Sequence, residues 1–330
     1  MLTLYVSQQG CSVCKAQENL QIKRKKEVEV EVQLPLLEQV LIFGKSQVST
    51  QAVQACLKRN ITIGYLSKTG YCYGRILPVK QGYHYLSHYQ QQLSVKDKLL
   101  VACQIVQAKL KNSRTILQRQ HRRQPSETLA LAIKSLGYLI DKVAMSETWE
   151  RLMGLEGAGA AAYFKAFGTC IGNSEFVFTE RSKRPPGNPT NALLSFGYQV
   201  LWNHIYSLIE LQGLDPYFGC LHQGSERHAA LASDLIEEFR APIVDSLVLW
   251  LINCKVVNAE VDFEYRNGGC YLNNSGRTKY LKAFIQRMEE KLTNSMGNKQ
   301  PRWDTVNRQV KLFKQFVYSP VDGYQPYFIR

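Results

Sequence analysis

The spacing of apolar residues changes once along this chain of 330 residues, and that change restricts the folds open to it. Up to about residue 90 apolar residues alternate with others, as in Leu2, Leu4 and Val6. Residues two apart share one face of a strand, so this region is predicted to form β-strands. From Leu99 onwards apolar residues recur every three or four positions, which is helical spacing. The sequence therefore predicts an α+β multidomain protein.

The predicted domain organisation follows this change of period. Residues 1–88 form a small β-rich domain, interrupted by one helix from about Ser49 to Arg59. Residues 89–98 are predicted to be a linker. The sequence around them is rich in Tyr, His and Gln, and its apolar residues show only weak periodicity. Residues 99–330 form a larger all-α catalytic domain. Its predicted helices after the first are Leu129–Val143, Thr148–Phe167, Asn191–Leu211, His228–Cys254, Tyr280–Leu292 and Thr305–Tyr318.

The balance of charge points to an anionic partner. Lysine and arginine number 41 against 27 aspartates and glutamates, a formal net charge of +14. Such an excess is typical of proteins that bind nucleic acid, and less often of those on an anionic membrane. No apolar run approaches the roughly 20 residues of a membrane span, and the N-terminus lacks the features of a signal peptide. We therefore expect a cytoplasmic protein that binds nucleic acid and no membrane.

The cysteines do not predict a disulfide framework or a zinc site. The chain has nine, an odd number, and we expect them to stay reduced in the cytoplasm. Cys11 and Cys14 form a CxxC pair, but no second pair or histidine pair with zinc-ligand spacing follows. We expect a reduced surface turn there.

Carboxylates and one histidine are the residues best suited to chemistry. Glu156 lies in LEGAGAAAYF, His222 ends the turn-rich GLDPYFGCLH, and SDLIEEFR carries Asp234 and Glu237. Asp234 and Glu237 are three apart, hence on one helical face, where Arg240 or a bound metal would offset their repulsion. Carboxylate and imidazole ligands suit Mg²⁺ or Mn²⁺. The simpler alternatives are a solvated glutamate at a tight helix crossing and a hydrogen-bonded structural histidine.

A metal held in this way would act on phosphodiesters, with either water or a DNA 3′-hydroxyl as the nucleophile. Basic and hydrogen-bonding residues around the stiff Pro185–Pro186 turn are predicted to grip the DNA, although Asn188 is also a plausible helix N-cap. The basic helix from Lys109 to Arg123 is a second electrostatic surface or an ordinary solvated face. The candidates for DNA contact are Tyr163, Arg181, Lys183, Arg184, Asn188, Asn191, Ser195, Tyr198, Arg227 and Arg240.

Four segments resemble, in order, the motifs of the CRISPR-associated integrase family of spacer acquisition, Cas-one. They are LEGAGAAAYF, RPPGNPTNALLSFGY, GLDPYFGCLH and LASDLIEEFR. The N-terminal LTLYV and the run from Val40 to Gly70 resemble its β domain. The resemblance implies that Glu156, His222 and Glu237 are metal ligands and catalytic residues. Asp234 beside them would be an acidic support or an alternative ligand.

The resemblance also implies a homodimer, with the β-rich domain in dimerisation and DNA contact, and a small Cas-two partner. The assembly would insert short DNA duplexes into a CRISPR array by 3′-hydroxyl attack. The segment QGSERHAA after His222 departs from the family pattern by including Arg227 and His228. Two other functions stay open: a structure-specific DNA-repair nuclease that uses water, and a non-catalytic basic DNA-binding scaffold.

Overall fold

The computed structural model describes residues 2–6, 8–25, 27–67, 72–78, 84–182, 185–222, 224–225, 228–293 and 299–329. Three predicted DNA contacts, Lys183, Arg184 and Arg227, lie outside these residues, as does Gly70. The fold is α+β, as predicted: a β-rich N-terminal region precedes a larger, mainly helical one. None of the helices within these ranges is long and apolar enough to cross a membrane.

The described N-terminal strands form two four-stranded sheets. The first has the order β1-β5-β7-β8, with β1, β5 and β7 parallel, and the second has the order β4-β3-β2-β6. Ser49 caps the helix between them, because its hydroxyl accepts a hydrogen bond from the Ala52 amide at 3.2 Å. The elements are β1 Leu2–Val6, β2 Ser12–Ala16, β3 Asn19–Arg24, β4 Glu27–Gln33, β5 Leu37–Phe43, β6 Gln47–Val48, α1 Thr50–Lys58, β7 Thr62–Leu66 and β8 Cys72–Ile76.

The C-terminal region is helical, with two hairpins that the sequence analysis did not predict. The helices are α2 His84–Gln91, α3 Val95–Arg123, α4 Glu127–Val143, α5 Trp149–Phe167, α6 Pro189–Leu211, α7 Ala230–Leu235, α8 Ser246–Asn253, α9 Asn274–Glu289 and α10 Arg302–Tyr318. The hairpins pair β9 Phe263–Arg266 with β10 Gly269–Leu272, and β11 Lys291–Thr293 with β12 Lys299–Pro301.

The first sheet packs directly on the helical region. Phe43 of β5 contacts Trp303 of α10, with ring centroids 5.1 Å apart, and both belong to one buried apolar cluster. A second cluster lies between the two N-terminal sheets and α1. Residues 89–98, predicted to be a linker, contain the end of α2, a short turn and the start of α3. The boundaries at 88 and 98 stay predictions.

The segment 228–254 is broken rather than one continuous helix, which corrects the prediction. It runs from α7 through a 3₁₀ turn, Ile236–Glu238, and a π-helical turn, Arg240–Asp245, into α8. Pro242 lies in the π turn, and proline cannot donate the hydrogen bond that a regular helix requires. The break therefore follows from the sequence, and Glu237 and Arg240 are placed on it.

Helix α5 crosses α3 closely at one glycine. A Cβ at Gly159 would lie 2.3 Å from Leu110 Cδ2, whereas a Cβ at Gly154 or Gly157 would meet nothing within 4 Å. The close approach of the two helices therefore depends on Gly159, and it brings Leu110 and its neighbour Lys109 next to α5.

Gly159→Ala is expected to lower the free energy of unfolding by about 1–3 kcal/mol, because the added methyl group overpacks the crossing. Gly157→Ala, on the exposed side of the same helix, is the matched control and is expected to raise it by up to about 1 kcal/mol. Urea unfolding of both variants measures the difference. Equal effects of the two substitutions would contradict the packing assigned to Gly159.

Candidate metal centre

The ammonium group of Lys109 lies between two of the predicted metal ligands. Lys109 Nζ forms ion pairs with Glu156 on α5 and with Glu237 Oε2, the latter at 2.7 Å. The exposed fractions of the Lys109, Glu156 and Glu237 side chains are 14, 19 and 3%. The structure therefore brings Glu156 and Glu237 together, from elements far apart in sequence, around one cation.

Glu237 is held ionised by two cations. Its Oε1 accepts from Arg240 Nη2 at 3.0 Å, and its Oε2 faces Lys109. Burial alone raises the pKa of Glu237, but Arg240 and Lys109 outweigh it and lower the pKa to about 2. Burial lowers the pKa of Lys109, but the charges of Glu237 and Glu156 outweigh burial. The pKa of Lys109 is therefore raised above that of an ordinary lysine. Glu237 and Lys109 are therefore both charged at neutral pH.

Asp234 fixes the loop that carries His222. Its Oδ2 accepts from the backbone amides of Cys220 and Leu221, the latter at 2.9 Å, and its Oδ1 accepts from the His222 amide at 2.9 Å. Gly219 permits this approach, because a Cβ there would lie 2.6 Å from Asp234 Oδ2. With its side chain fully buried and both oxygens occupied, Asp234 has the contacts of a support rather than of a ligand.

The imidazole of His222 is oriented by the same carboxylate. His222 Nδ1 lies 2.8 Å from Asp234 Oδ1, and because a carboxylate only accepts, Nδ1 carries the proton. Nε2 is then the ring nitrogen left to bind a metal or substrate. Burial lowers the pKa of His222, but the hydrogen bond to Asp234 and the charges of Asp234 and Glu237 outweigh it and raise the pKa. His222 thus adjoins the Lys109 cluster electrostatically.

Tyr198 connects the candidate substrate grip to this cluster. The guanidinium groups of Arg240 and Arg181 lie 4.8 and 5.5 Å from the centroid of its ring. Its hydroxyl donates to Oδ1 of Asp245, and the hydroxyl of Tyr163 donates to Oδ2 of the same carboxylate at 2.9 Å. Two partly exposed cations therefore flank one ring beside the cluster, where phosphates of an approaching DNA strand would be attracted.

Two predicted DNA contacts are buried instead. Tyr163 is 3% exposed and Asn191 is 1% exposed, so neither side chain reaches DNA in this structure. Asn191 supports the preceding loop, since its Oδ1 accepts from Arg181 Nη1 at 2.8 Å. Ser195 accepts from Arg181 Nη2 at 2.9 Å, so the pair positions that guanidinium. Asn188 caps α6 by accepting from the Asn191 amide at 2.9 Å, which is the alternative role considered for it.

Lys109 is the functional residue whose position sequence reasoning missed. The sequence predicts it only as part of the basic helix from Lys109 to Arg123, either an electrostatic surface or an ordinary solvated face. A signal was present, because Lys109 continues the buried stripe of Ile105 and Val106 at positions i+4 and i+3. A lysine inside such a stripe requires a buried anionic partner.

Within the described ranges, no three histidine, cysteine, aspartate or glutamate side chains are grouped closely enough to be a formed metal site. The arrangement instead consists of two carboxylates on a lysine ammonium group, with an oriented imidazole beside them.

The resemblance to one known family is tested by comparison with family profiles. The family profile described as CRISPR associated protein Cas1 matches residues 4–286. The chain belongs to the Cas1 family. The family expected from the four motifs, Cas-one, is thereby confirmed. The motifs carrying Glu156, His222 and Glu237 all lie inside the matched part.

Curated relatives match most or nearly all of the chain. A protein of Rhodospirillum rubrum, named CRISPR-associated endonuclease Cas1 2, is 32% identical over 338 residues, covering 99% of this chain and 98% of its own length. A Geobacter sulfurreducens protein, named as a fusion of the exonuclease Cas4 and the endonuclease Cas1, is 35% identical over 89% of this chain. The match spans 54% of the length of that fusion.

Solved structures share the fold. A partial Cas6-RT-Cas1–Cas2 complex matches with a TM-score of 0.84 at 24% identity, covering 99% of this chain and 98% of that one. A casposase bound to integration product matches with a TM-score of 0.77 at 22% identity, covering all of both chains.

The raised pKa of His222 predicts a pH dependence of stability. A histidine whose folded pKa is raised contributes stability that is fully present below about pH 6.5 and is lost as the pH rises through the folded value. In EDTA, the difference in Tm between the wild type and His222→Gln should therefore be larger at about pH 5.5 than at about pH 8.5. Differential scanning calorimetry across this range measures it, and a difference independent of pH would contradict the pairing with Asp234.

Proposed function

We propose that this Cas1 protein is a metal-dependent DNA endonuclease and integrase, which inserts short DNA fragments into a CRISPR array by 3′-hydroxyl attack on a phosphodiester. The observation that carries the proposal is the convergence of Glu156 and Glu237 on the Lys109 ammonium group. These two carboxylates come from separate elements and already hold an ammonium group, so their environment also suits a metal cation.

The residues present fit a divalent ion. Glu156, Glu237 and the Nε2 atom of His222 would hold Mg²⁺ or Mn²⁺, because carboxylate oxygens with one imidazole match the preferences of these ions. When bound, the ion supplies Lewis-acid activation of the scissile phosphate and stabilises the leaving oxygen. Asp234 stays outside the ligand set, since its oxygens are engaged by the 220–222 loop.

The chain's own residues orient the ligands and the substrate. Asp234 keeps the proton of His222 on Nδ1 and thereby leaves Nε2 free of a proton for a ligand. Arg240 balances the charge of Glu237 and, with Arg181, presents positive charge beside Tyr198. These cations would hold the phosphates on either side of the scissile bond, positioning it for in-line attack.

The relatives support the rest of the proposal. Curated relatives carry the name endonuclease, and one structural neighbour is a casposase bound to integration product, which supports DNA as the substrate. Another neighbour is a complex that contains Cas2, which supports a Cas2 partner for this chain. We extend the proposal to a cytoplasmic homodimer that joins Cas2, with the β-rich region in dimerisation and DNA contact.

His222→Ala is expected to abolish strand transfer while the protein stays folded and dimeric, because the oriented nitrogen is lost and the core is untouched. The assay uses the full chain with Cas2, Mn²⁺ and a labelled duplex bearing free or blocked 3′-hydroxyl ends. Strand transfer should require the free hydroxyl and stop in EDTA.

Three outcomes would overturn parts of the proposal. Cleavage of equal rate with free and blocked ends would favour a water-dependent nuclease. Strand transfer unchanged in EDTA would exclude the metal, and DNA binding with neither strand transfer nor cleavage would favour a non-catalytic scaffold. Normal integration by His222→Ala would contradict the ligand assignment, and circular dichroism with size-exclusion chromatography serves as the control for folding and dimerisation.

A further inference from the structure

Two cavities share a wall formed by the last described residues of the chain. One, of about 660 Å³, lies among α3, α4 and the segment 328–329, and the other, of about 400 Å³, lies among α9, α10 and the segment 326–329. Phe328 and Ile329 line both. We name the two cavities together the tail groove. No residue of the candidate metal centre lines it.

The tail groove is strongly basic. Seven lysine and arginine side chains line it, against two aspartates, one in each cavity. A phosphate backbone is the ligand that such an excess attracts most generally. The basic residues are Lys111, Arg114 and Lys134 in the first cavity and Arg119, Arg287, Arg302 and Arg308 in the second.

Positive charge in the second cavity is only partly compensated. Arg302 Nη2 and Arg287 Nε lie 3.0 and 3.6 Å from the carboxylate of Glu290, so two guanidinium groups share one anion. Arg302 Nε is buried and has no acceptor among the described residues. Burial lowers the pKa of Arg287; Glu290 raises it, and the nearby charge of Arg302 lowers it further. An anionic oxygen entering the cavity would add a second acceptor beside the two guanidinium groups that share Glu290.

Exposed aromatic rings lie among these cations. Phe328 is 41% exposed and Tyr138, in the first cavity, is 63% exposed. Lys111 Nζ lies 4.8 Å from the centroid of the Phe328 ring. Cations interleaved with exposed rings are typical of surfaces that bind single-stranded nucleic acid, because unpaired bases stack on the rings while phosphates meet the cations. Bases of a duplex are already stacked on each other and gain nothing from such rings.

The wall between the cavities is held firmly from within. The Tyr327 amide donates to Glu238 Oε2 at 2.6 Å, and the Ile329 amide donates to Asn112 Oδ1 at 3.0 Å. The Tyr327 ring stacks on Phe239 with centroids 5.1 Å apart. Phe328 is thereby presented outward on a fixed backbone, so little ordering is needed when a base stacks on it.

We propose that the tail groove is a binding site for single-stranded DNA, separate from the metal centre. The inference rests on the proposed function only for the choice of DNA as the nucleic acid. Its test measures DNA binding in EDTA, where metal-dependent chemistry does not occur. A loss of DNA binding by the groove can therefore be told apart from a loss of metal-dependent activity.

The experiment measures binding of the full chain to a fluorescent oligothymidine of about 12 nucleotides, a length within the usual site size of such surfaces. A hairpin duplex with the same number of phosphates is the comparison ligand. One variant combines Lys134→Gln with Arg308→Gln, one exposed cation from each cavity. The matched control combines Lys96→Gln with Lys282→Gln, which are exposed and line neither cavity. A third variant is Phe328→Ala.

The groove variant is expected to bind the oligothymidine about 10-fold more weakly, with a salt dependence reduced by about 1.4 in log–log slope, as for two lost phosphate contacts. The control should change affinity less than about 3-fold, since only general charge is removed. Phe328→Ala should weaken oligothymidine binding about 5- to 10-fold through lost stacking and leave duplex binding within about 2-fold.

Equal losses in the groove and control variants would overturn the proposal, because net charge alone would then account for binding. Parallel losses for oligothymidine and duplex would overturn it too, by assigning the groove to a general electrostatic surface. Unchanged binding of the oligothymidine by the groove variant and by Phe328→Ala would overturn it as well. If the wild type binds oligothymidine through the tail groove as expected but does not integrate DNA, only the proposed function is contradicted.

Discussion

The pairing of Lys109 with Glu156 and Glu237 is the interaction on which the organisation of the site depends. Lys109 comes from α3, Glu156 from α5 and Glu237 from the broken segment after α7, so one ammonium group joins three elements. Two carboxylates placed together without a cation would repel each other, and the buried one, Glu237, would be costly to desolvate. The close crossing at Gly159 and the break at Pro242 are the packing features that allow the three side chains to meet.

The broken segment places two adjacent glutamates in opposite environments. Glu237 faces cations, and its pKa is lowered to about 2. Glu238 turns to the other side, where the Tyr324 hydroxyl, the Tyr327 amide and Gln309 donate to it. Burial nevertheless raises the pKa of Glu238 to about 7, although these hydrogen bonds lower it. The first carboxylate is thus available to a cation, and the second anchors the C-terminal segment that walls the tail groove.

Much of the fold was predictable because local patterns agreed with it. The change of period separated the β-rich from the helical region, and the N-caps at Ser49 and Asn188 were identifiable from residue type. The two hairpins were missed, since strands of three or four residues are too short to show a period. Pro242 indicates a break after α7, but the form of the break, a 3₁₀ turn followed by a π turn, depends on buried packing that the sequence does not show.

The acidic residues and the histidine of the candidate site were predictable from the sequence, but the lysine that pairs with the two glutamates was not. Glu156, His222 and Glu237 were predicted from motifs, and the contacts of Asp234 are those of a support for the loop that carries His222. Tyr163 and Asn191 were assigned to DNA because spacing predicts a shared face, but spacing does not show whether that face is covered. Lys109 meets the two carboxylates only because α3 crosses α5. A local sequence pattern does not show which helices cross.

The most direct test of this account is the affinity of Mn²⁺ for the wild type and for Lys109→Met, measured by isothermal titration calorimetry. Methionine keeps the length of the side chain and removes its charge, so an incoming ion no longer competes with an ammonium group. Lys109→Met is expected to bind Mn²⁺ about 10- to 100-fold more tightly than the wild type, whereas Lys111→Met, two residues along α3, is expected to bind as the wild type does. Equal or weaker binding by Lys109→Met would contradict the claim that Lys109 holds the place of the metal ion.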